Sequence, residues 1–382
     1  MTGARLVELE EFKAAVDAWL DAQAAELAPG YEGIGTLDEQ MAQFRKVMCL
    51  SYEAGFMGAG WPQRVGGRGG SSLLRAYLGE ALVSRDLVEP GLLSFPEILV
   101  PTMVDYAPAE LAAEMVPRLL RGQETWCQGF SEPGAGSNLG SLACRAVRTD
   151  EGWRVNGQKV WTSMAHYATR CVLLTRTGTA ESAHRGITAL FVDMDTPGIT
   201  VRPIGSMHGV EEFTEVFFDD ALVPLDRLLG EENGGWSIAM DLLPYERSTA
   251  LWFRAAYMQR RLERLVAVAP EGSLDPGALG EVVQLLSAFR ARSRETGRRL
   301  AAGERIGAET SVDKVLLAST EQALFELVAE ALGAEVLLGD DPQSQRWRAE
   351  YLYSRAASIY GGSGEIQRNI IARRLLELGD DR

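Results

Sequence analysis

Leu6, Leu9, Phe12, Val16, Trp19 and Leu20 recur at spacings of three and four, which lays one apolar stripe along a helix near the start of the chain. The same spacing continues through Met41–Ala54, Leu73–Ser84 and Ala109–Arg121. Gly60-Trp61-Pro62-Gln63-Arg64-Val65-Gly66-Gly67 interrupts it with turn-forming residues and is not expected to be helical. Near Thr125 the texture changes to short β-rich runs at Trp153–Val160, Arg170–Thr175, Ile187–Asp193, Ile199–Pro203 and Glu215–Phe218. Gly, Asn, Asp and Pro turns separate them, as in a compact antiparallel domain. From about Gly235 the helical period returns, with clear breaks only at Pro270–Gly277 and Gly339–Pro342 and a glycine pair at Gly361-Gly362. The pattern predicts an α+β chain in three parts. Residues 1–123 form an N-terminal helical domain, 124–232 a middle antiparallel β-domain and 233–382 a C-terminal helical bundle.

Composition narrows what such a chain does. Its 382 residues are 46% hydrophobic and carry a net charge of −15, enough for a large core and against a basic nucleic-acid surface. Four scattered cysteines (Cys49, Cys127, Cys144, Cys171) show no CxxC spacing, and there are only three histidines, so neither a disulfide framework nor a metal site is expected. No apolar run is long enough to span a bilayer, and no basic segment with an apolar run and cleavage site is read at the N-terminus. The cytoplasm fits best, with no membrane or nucleic-acid partner. Lysine occurs only at Lys13, Lys46, Lys159 and Lys314.

Three segments carry the candidate chemistry. The first is Gln128-Gly129-Phe130-Ser131-Glu132-Pro133-Gly134-Ala135-Gly136-Ser137-Asn138, a run of small residues whose backbone amides can approach a ligand closely. The second is Asn156-Gly157-Gln158-Lys159-Val160-Trp161-Thr162-Ser163, and the third Ile359-Tyr360-Gly361-Gly362-Ser363-Gly364-Glu365-Ile366-Gln367-Arg368. No strand–glycine–helix unit of the Rossmann type precedes the first.

In this order and spacing the three segments resemble the signature segments of the acyl-CoA dehydrogenase family, and the resemblance runs from about Gly55 to the C-terminus. It implies an acyl-CoA dehydrogenase-like fold, FAD as cofactor and α,β-dehydrogenation of an acyl thioester carried on CoA or on a carrier protein. It also implies an electron-transfer flavoprotein or a similar acceptor. Ser131 would hydrogen-bond the flavin ring beside Phe130, Trp161 would lie against it, Ser163 would bond its polar edge, and Ser363 would contact the cofactor from the C-terminal segment. Ser137 would sit at the pantetheine or phosphate end of the substrate.

The reaction needs a base for the α-hydrogen, and a buried carboxylate suits that role. The commonest position in the family follows the tyrosine of the C-terminal segment, but here it is Gly361. Isovaleryl- and long-chain-type members place the glutamate on a helix after the β-domain, and Glu246 in Leu242-Leu243-Pro244-Tyr245-Glu246-Arg247 matches it. Arg247 would position the base or the thioester, and Gly361 would leave room for a branched or bulky acyl group.

Two expected segments are missing. An Arg-x-x-Phe-Gly motif should fall near 260–276 and a Gly-Gly-x-Gly segment near Glu330, and neither is there. In the family a neighbouring subunit offers them to the flavin's pyrophosphate, which otherwise loses charge-assisted hydrogen bonds. A paralogous partner in an α2β2 assembly would supply them, as in the heterotetrameric bacterial acyl-CoA dehydrogenases of sterol side-chain breakdown, whose base-bearing subunit this chain resembles. A homo-oligomer using Arg260, Arg290 or Arg294 is the alternative. Two further readings stay open: an acyl-CoA oxidase, and a non-catalytic paralogue that stabilises an active partner.

Overall fold

The computed structural model describes residues 3–246, 249–304 and 306–379. Helices come first: α1 (Gly3–Ala22), the short α2 (Ala24–Leu27), α3 (Leu37–Glu53), α4 (Ser72–Ser84), α5 (Pro90–Tyr106) and α6 (Ala109–Leu120). The strands are β1 (Trp126–Gly129), β2 (Arg145–Arg148), β3 (Trp153–Ser163), β4 (Arg170–Arg176), β5 (Ile187–Asp193), β6 (Ile199–Pro203), β7 (Phe213–Val223) and β8 (Leu228–Leu229). Helices then return as α7 (Gly235–Glu246), α8 (Thr249–Val268), α9 (Pro276–Ala301), α10 (Thr310–Leu332), α11 (Ala334–Leu338), α12 (Pro342–Ser354) and α13 (Gly364–Arg374). The α+β order read from the sequence is the order found. No described helix is long and apolar enough to cross a membrane.

The chain divides into two compact units. One comprises residues 1–62, 67–94 and 244–382, and the other 63–66 and 95–243.

In the helical unit, Leu251, Ala255, Met258, Leu262 and Leu265 line one face of α8 at helical spacing and bury against Phe289 of α9 and Leu324, Phe325 and Val328 of α10. Truncating one of the larger of these side chains to alanine costs about 2–5 kcal/mol. Close approach is made possible by small residues: a Cβ on Gly79 of α4 would stand 2.5 Å from the Phe253 ring. Both long breaks seen in the sequence become helix starts. Asp275 caps α9 and Asp341 caps α12, each followed by proline at the first helical turn, where its missing N–H costs nothing.

In the other unit the sheet order is β6-β7-β3-β2-β4-β5-β8, with β1 also paired to β4. Trp153, Val155, Leu173, Leu190, Val216 and Phe218 point into a common core, and Trp126 packs edge-on against Phe191 with centroids 5.0 Å apart.

The structure corrects five local expectations. The sheet is not wholly antiparallel, because β1 runs parallel to β4 and β2 meets β4 in a parallel bridge. Within the turn-rich stretch, Gln63–Val65 closes one 3-10 turn. Helix α5 was not expected because Pro96 and Pro101 lie inside it; burial of Leu99, Val100 and Met103 overrides that local preference. Strand β2 is exposed except at Ala146, so it carries no alternating apolar signal. The C-terminal helices also break after Ala301, with Gly303 at φ +82°, and again at Gly333, which the sequence marks only with single glycines.

Candidate functional site

The candidate segments fall in the two units. In the sheet unit, β1 delivers the chain into Phe130–Asn138. Phe130 is buried, and Ser131 is half-buried with its carbonyl accepting from the Val160 amide at 2.9 Å. Glu132 turns inward. Its carboxylate accepts from the amides of Ala143 at 2.6 Å and Cys144 at 2.9 Å and from the Lys159 ammonium at 2.7 Å. Lys159 also donates to the Phe130 carbonyl at 3.1 Å. One buried ion pair thus ties the glycine-rich loop, the segment before β2 and the middle of β3 together. Such a pair is held by its surrounding hydrogen bonds. Glu132 and Ala135 also exchange backbone hydrogen bonds at 3.1 and 3.0 Å, closing the turn. Ser137 and Asn138 lie beyond it, exposed.

β3 carries the second segment. Its pairing with β7 runs Lys159 opposite Val216, then Thr162 opposite Thr214, so Val160 and Trp161 bulge against one residue. Trp161 takes φ +58°, a left-handed conformation uncommon for a residue with a side chain. Its indole is 60% exposed and meets Phe213 edge-on at 6.0 Å. Met164, three residues on, is left-handed as well, at φ +59°. Backbone strain of this kind persists only where the surroundings enforce it and clusters at ligand sites. Among the described residues the hydroxyls of Ser131 and Ser163 have no hydrogen-bond partner. A presented indole face with open hydroxyls on the same strand end and the adjoining loop suits a flat aromatic ligand with polar edges.

In the helical unit, Glu246 is the final residue of α7; its side chain and the whole of Arg247 lie outside the described residues. Gly361 and Gly362 are both left-handed, at φ +62° and +90°, so both glycines serve the turn. Ser363 caps α13, its hydroxyl oxygen accepting from the Ile366 amide at 3.4 Å while its proton remains able to donate. Buried Gln367 reaches back from α13 to the carbonyls of Gly361 at 3.2 Å and Gly362 at 3.3 Å.

The positions of the two missing segments are the last turns of α8 with the loop that leads to α9, and the junction of α10 with α11. The arginines considered as substitutes are engaged locally: Arg260 with Asp86 at 3.2 Å, and Arg294 and Arg290 with Glu80 at 3.0 and 3.8 Å.

Sequence reasoning assigned no role to Glu132 and Lys159, which fix the loop. A signal was present: alternation along β3 puts Lys159 on the same face as core residues Trp153 and Val155, an odd place for one of four lysines. The left-handed bulge at Trp161 had no signal, since glycine does not mark it.

The models of the acyl-CoA dehydrogenase N-terminal, middle and C-terminal domains match residues 7–123, 127–221 and 233–376. The chain is 36% identical to acyl-CoA dehydrogenase IpdE1 of Mycobacterium tuberculosis over 97% of its own length and 98% of the relative's. It is 33% identical to acyl-CoA dehydrogenase IpdE1 of Mycolicibacterium smegmatis, covering 98% of both chains. Among solved structures it is similar to the Tcur3481-Tcur3483 steroid ACAD, with a TM-score of 0.82 at 26% identity over 100% of this chain and 99% of that one. These matches agree with the helical, β, helical order. The chain belongs to the acyl-CoA dehydrogenase family of FAD-dependent flavoenzymes.

Proposed function

We propose that the chain is the base-bearing subunit of a two-component acyl-CoA dehydrogenase acting on a branched or bulky acyl thioester. The observation that carries this reading is Trp161, turned out of β3 by a strained bulge beside a loop locked through Glu132 and Lys159. Phe130, Ser131, Trp161 and Ser163 are the residues that would hold the flavin ring, and Ser363 would add a donor from the helical unit. Bound FAD supplies the acceptor for the β-hydrogen. The chain's own task is to remove the α-proton, and Glu246 is the carboxylate assigned to it. Burial against ring and acyl chain raises a carboxyl toward neutrality, where it accepts a proton efficiently. Arg247 orients the base or the thioester, Ser137 meets the carrier end, and Gly361 leaves space beside the reacting carbons.

Three features favour a paralogous partner. The chain lacks the Arg-x-x-Phe-Gly and Gly-Gly-x-Gly segments. Arg260, Arg290 and Arg294 are already engaged by carboxylates of their own unit. The similar steroid ACAD carries a paired designation, Tcur3481-Tcur3483. An electron-transfer flavoprotein or a similar acceptor would be the electron-accepting partner. Flavin content and size-exclusion chromatography test the assembly. The chain alone should bind FAD weakly or below one per chain. Co-expressed with a paralogue that has both missing segments, it should form α2β2 with one FAD per heterodimer. A homo-oligomer with one tightly held FAD per chain, active on an acyl-CoA, would overturn the two-component reading.

A further inference from the structure

Ile359–Ser363 lies between the 3-10 turn Arg355–Ser358 and α13, in neither helix nor strand, and two of its residues are left-handed glycines. Its backbone bonds include those from the Ile359 and Tyr360 amides to the Ala356 carbonyl, at 2.8 and 3.0 Å, and from the Gln367 amide to the Ser363 carbonyl, at 2.9 Å. The bracing comes from side chains of three helices of the same unit. From α8, Arg254 places a guanidinium nitrogen 3.5 Å from the Tyr360 hydroxyl and holds Glu321 of α10 at 2.7 Å. From α10, the Lys314 ammonium lies 4.1 Å from the centre of the Tyr360 ring and donates to the Ala357 carbonyl. From α13, Gln367 holds the carbonyls of Gly361 and Gly362.

Arg254, Glu321 and Lys314 are all largely shielded from water. Burying such charges is costly, and well-packed apolar side chains stabilise a bundle at least as well. Burial works against the charge on Arg254, yet Glu321 foremost, then Tyr360 and Tyr353, hold its pKa well above the ordinary value. Both cations converge on Tyr360, one at the hydroxyl and one at the ring face, a favourable placement for a cation. We infer that Tyr360 is a positioning residue, through which Arg254 and Lys314 set the course of the Gly361-Gly362 backbone and so the room left for the acyl group. This rests on the reading that Gly361 borders that group.

Amide hydrogen exchange of the full chain, read by mass spectrometry, tests the positioning, and steady-state kinetics of the flavin-loaded enzyme test its consequence. Tyr360→Leu removes both cation contacts, whereas Tyr360→Phe keeps the ring over Lys314. Exchange at 359–363 should rise about tenfold in Tyr360→Leu and no more than about threefold in Tyr360→Phe, with α8 and α10 unchanged. The ratio of KM for octanoyl-CoA to KM for cyclohexanecarboxyl-CoA should shift about tenfold in Tyr360→Leu and in Gly361→Ala, with kcat moving less. Unchanged exchange, or faster exchange throughout the bundle, would overturn the inference. So would a KM ratio that moves in Gly361→Ala and not in Tyr360→Leu, leaving the acyl-pocket reading intact. A ratio unmoved by Gly361→Ala would instead remove the pocket reading itself.

Discussion

Glu132 and Lys159 meet at 2.7 Å, carboxylate to ammonium, with both side chains shut away from solvent. Removing one partner strands the other charge in the core. Lys159→Met should therefore lower stability by about 3–5 kcal/mol and loosen Phe130–Asn138. Glu132→Gln should do the same, and the double variant should recover much of the loss. A double-mutant cycle in denaturant checks this. A coupling energy below about 0.5 kcal/mol would mean that the pair does not hold the loop.

Trp161 offers a cleaner probe, because most of its indole is exposed and its loss opens no cavity. Trp161→Ala should leave the fold intact, weaken FAD retention by up to a few kcal/mol and alter the flavin absorbance spectrum. Unchanged affinity and spectrum would show that the indole does not meet the ring.

How much of this was legible depended on whether a signal was local. Strands β5 and β6 were read at their observed ends because they are short, β-rich and bounded by turn residues. The breaks before α9 and α12 were read because Asp-Pro both stops one helix and starts the next. Helix α5 was missed because Pro96 and Pro101 speak locally against helix while tertiary burial decides for it. The parallel pairing of β1 with β4 joins residues about forty positions apart, and no short window contains that choice. The candidate site was legible as three segments, with Glu246 as the proposed base. The contacts that shape those segments, from Glu132 and Lys159 and from Arg254 and Lys314, are long-range and became visible only in three dimensions.

Asp86 shows a similar dependence on distant charge. It is left-handed at φ +57° and is met by Arg260, Arg261 and Arg264 of α8. Burial alone would raise its pKa, but Arg261 and then Arg264 outweigh it and hold the carboxyl below its usual value. A depressed folded pKa means that the carboxylate contributes fully at neutral pH. That contribution is lost as pH falls through the folded value. Asp86→Asn should cost about 1–3 kcal/mol at pH 7, since it removes one of the two carboxylates paired with the buried Arg261 and leaves Glu350 at 3.3 Å. The gap from wild type should narrow below about pH 4, where the unfolded carboxylate protonates. Thermal melts at pH 7 and about pH 3.5 check this, and a gap independent of pH would contradict it.

The assignment of the base is tested most directly by Glu246→Gln in the flavin-loaded assembly. The substitution keeps the side chain's shape and removes its capacity to accept a proton. FAD content should be unchanged, and the rate of flavin reduction by the acyl thioester should fall by about two to four orders of magnitude. A variant that reduces its flavin at a rate comparable to wild type would contradict the account and place the base elsewhere.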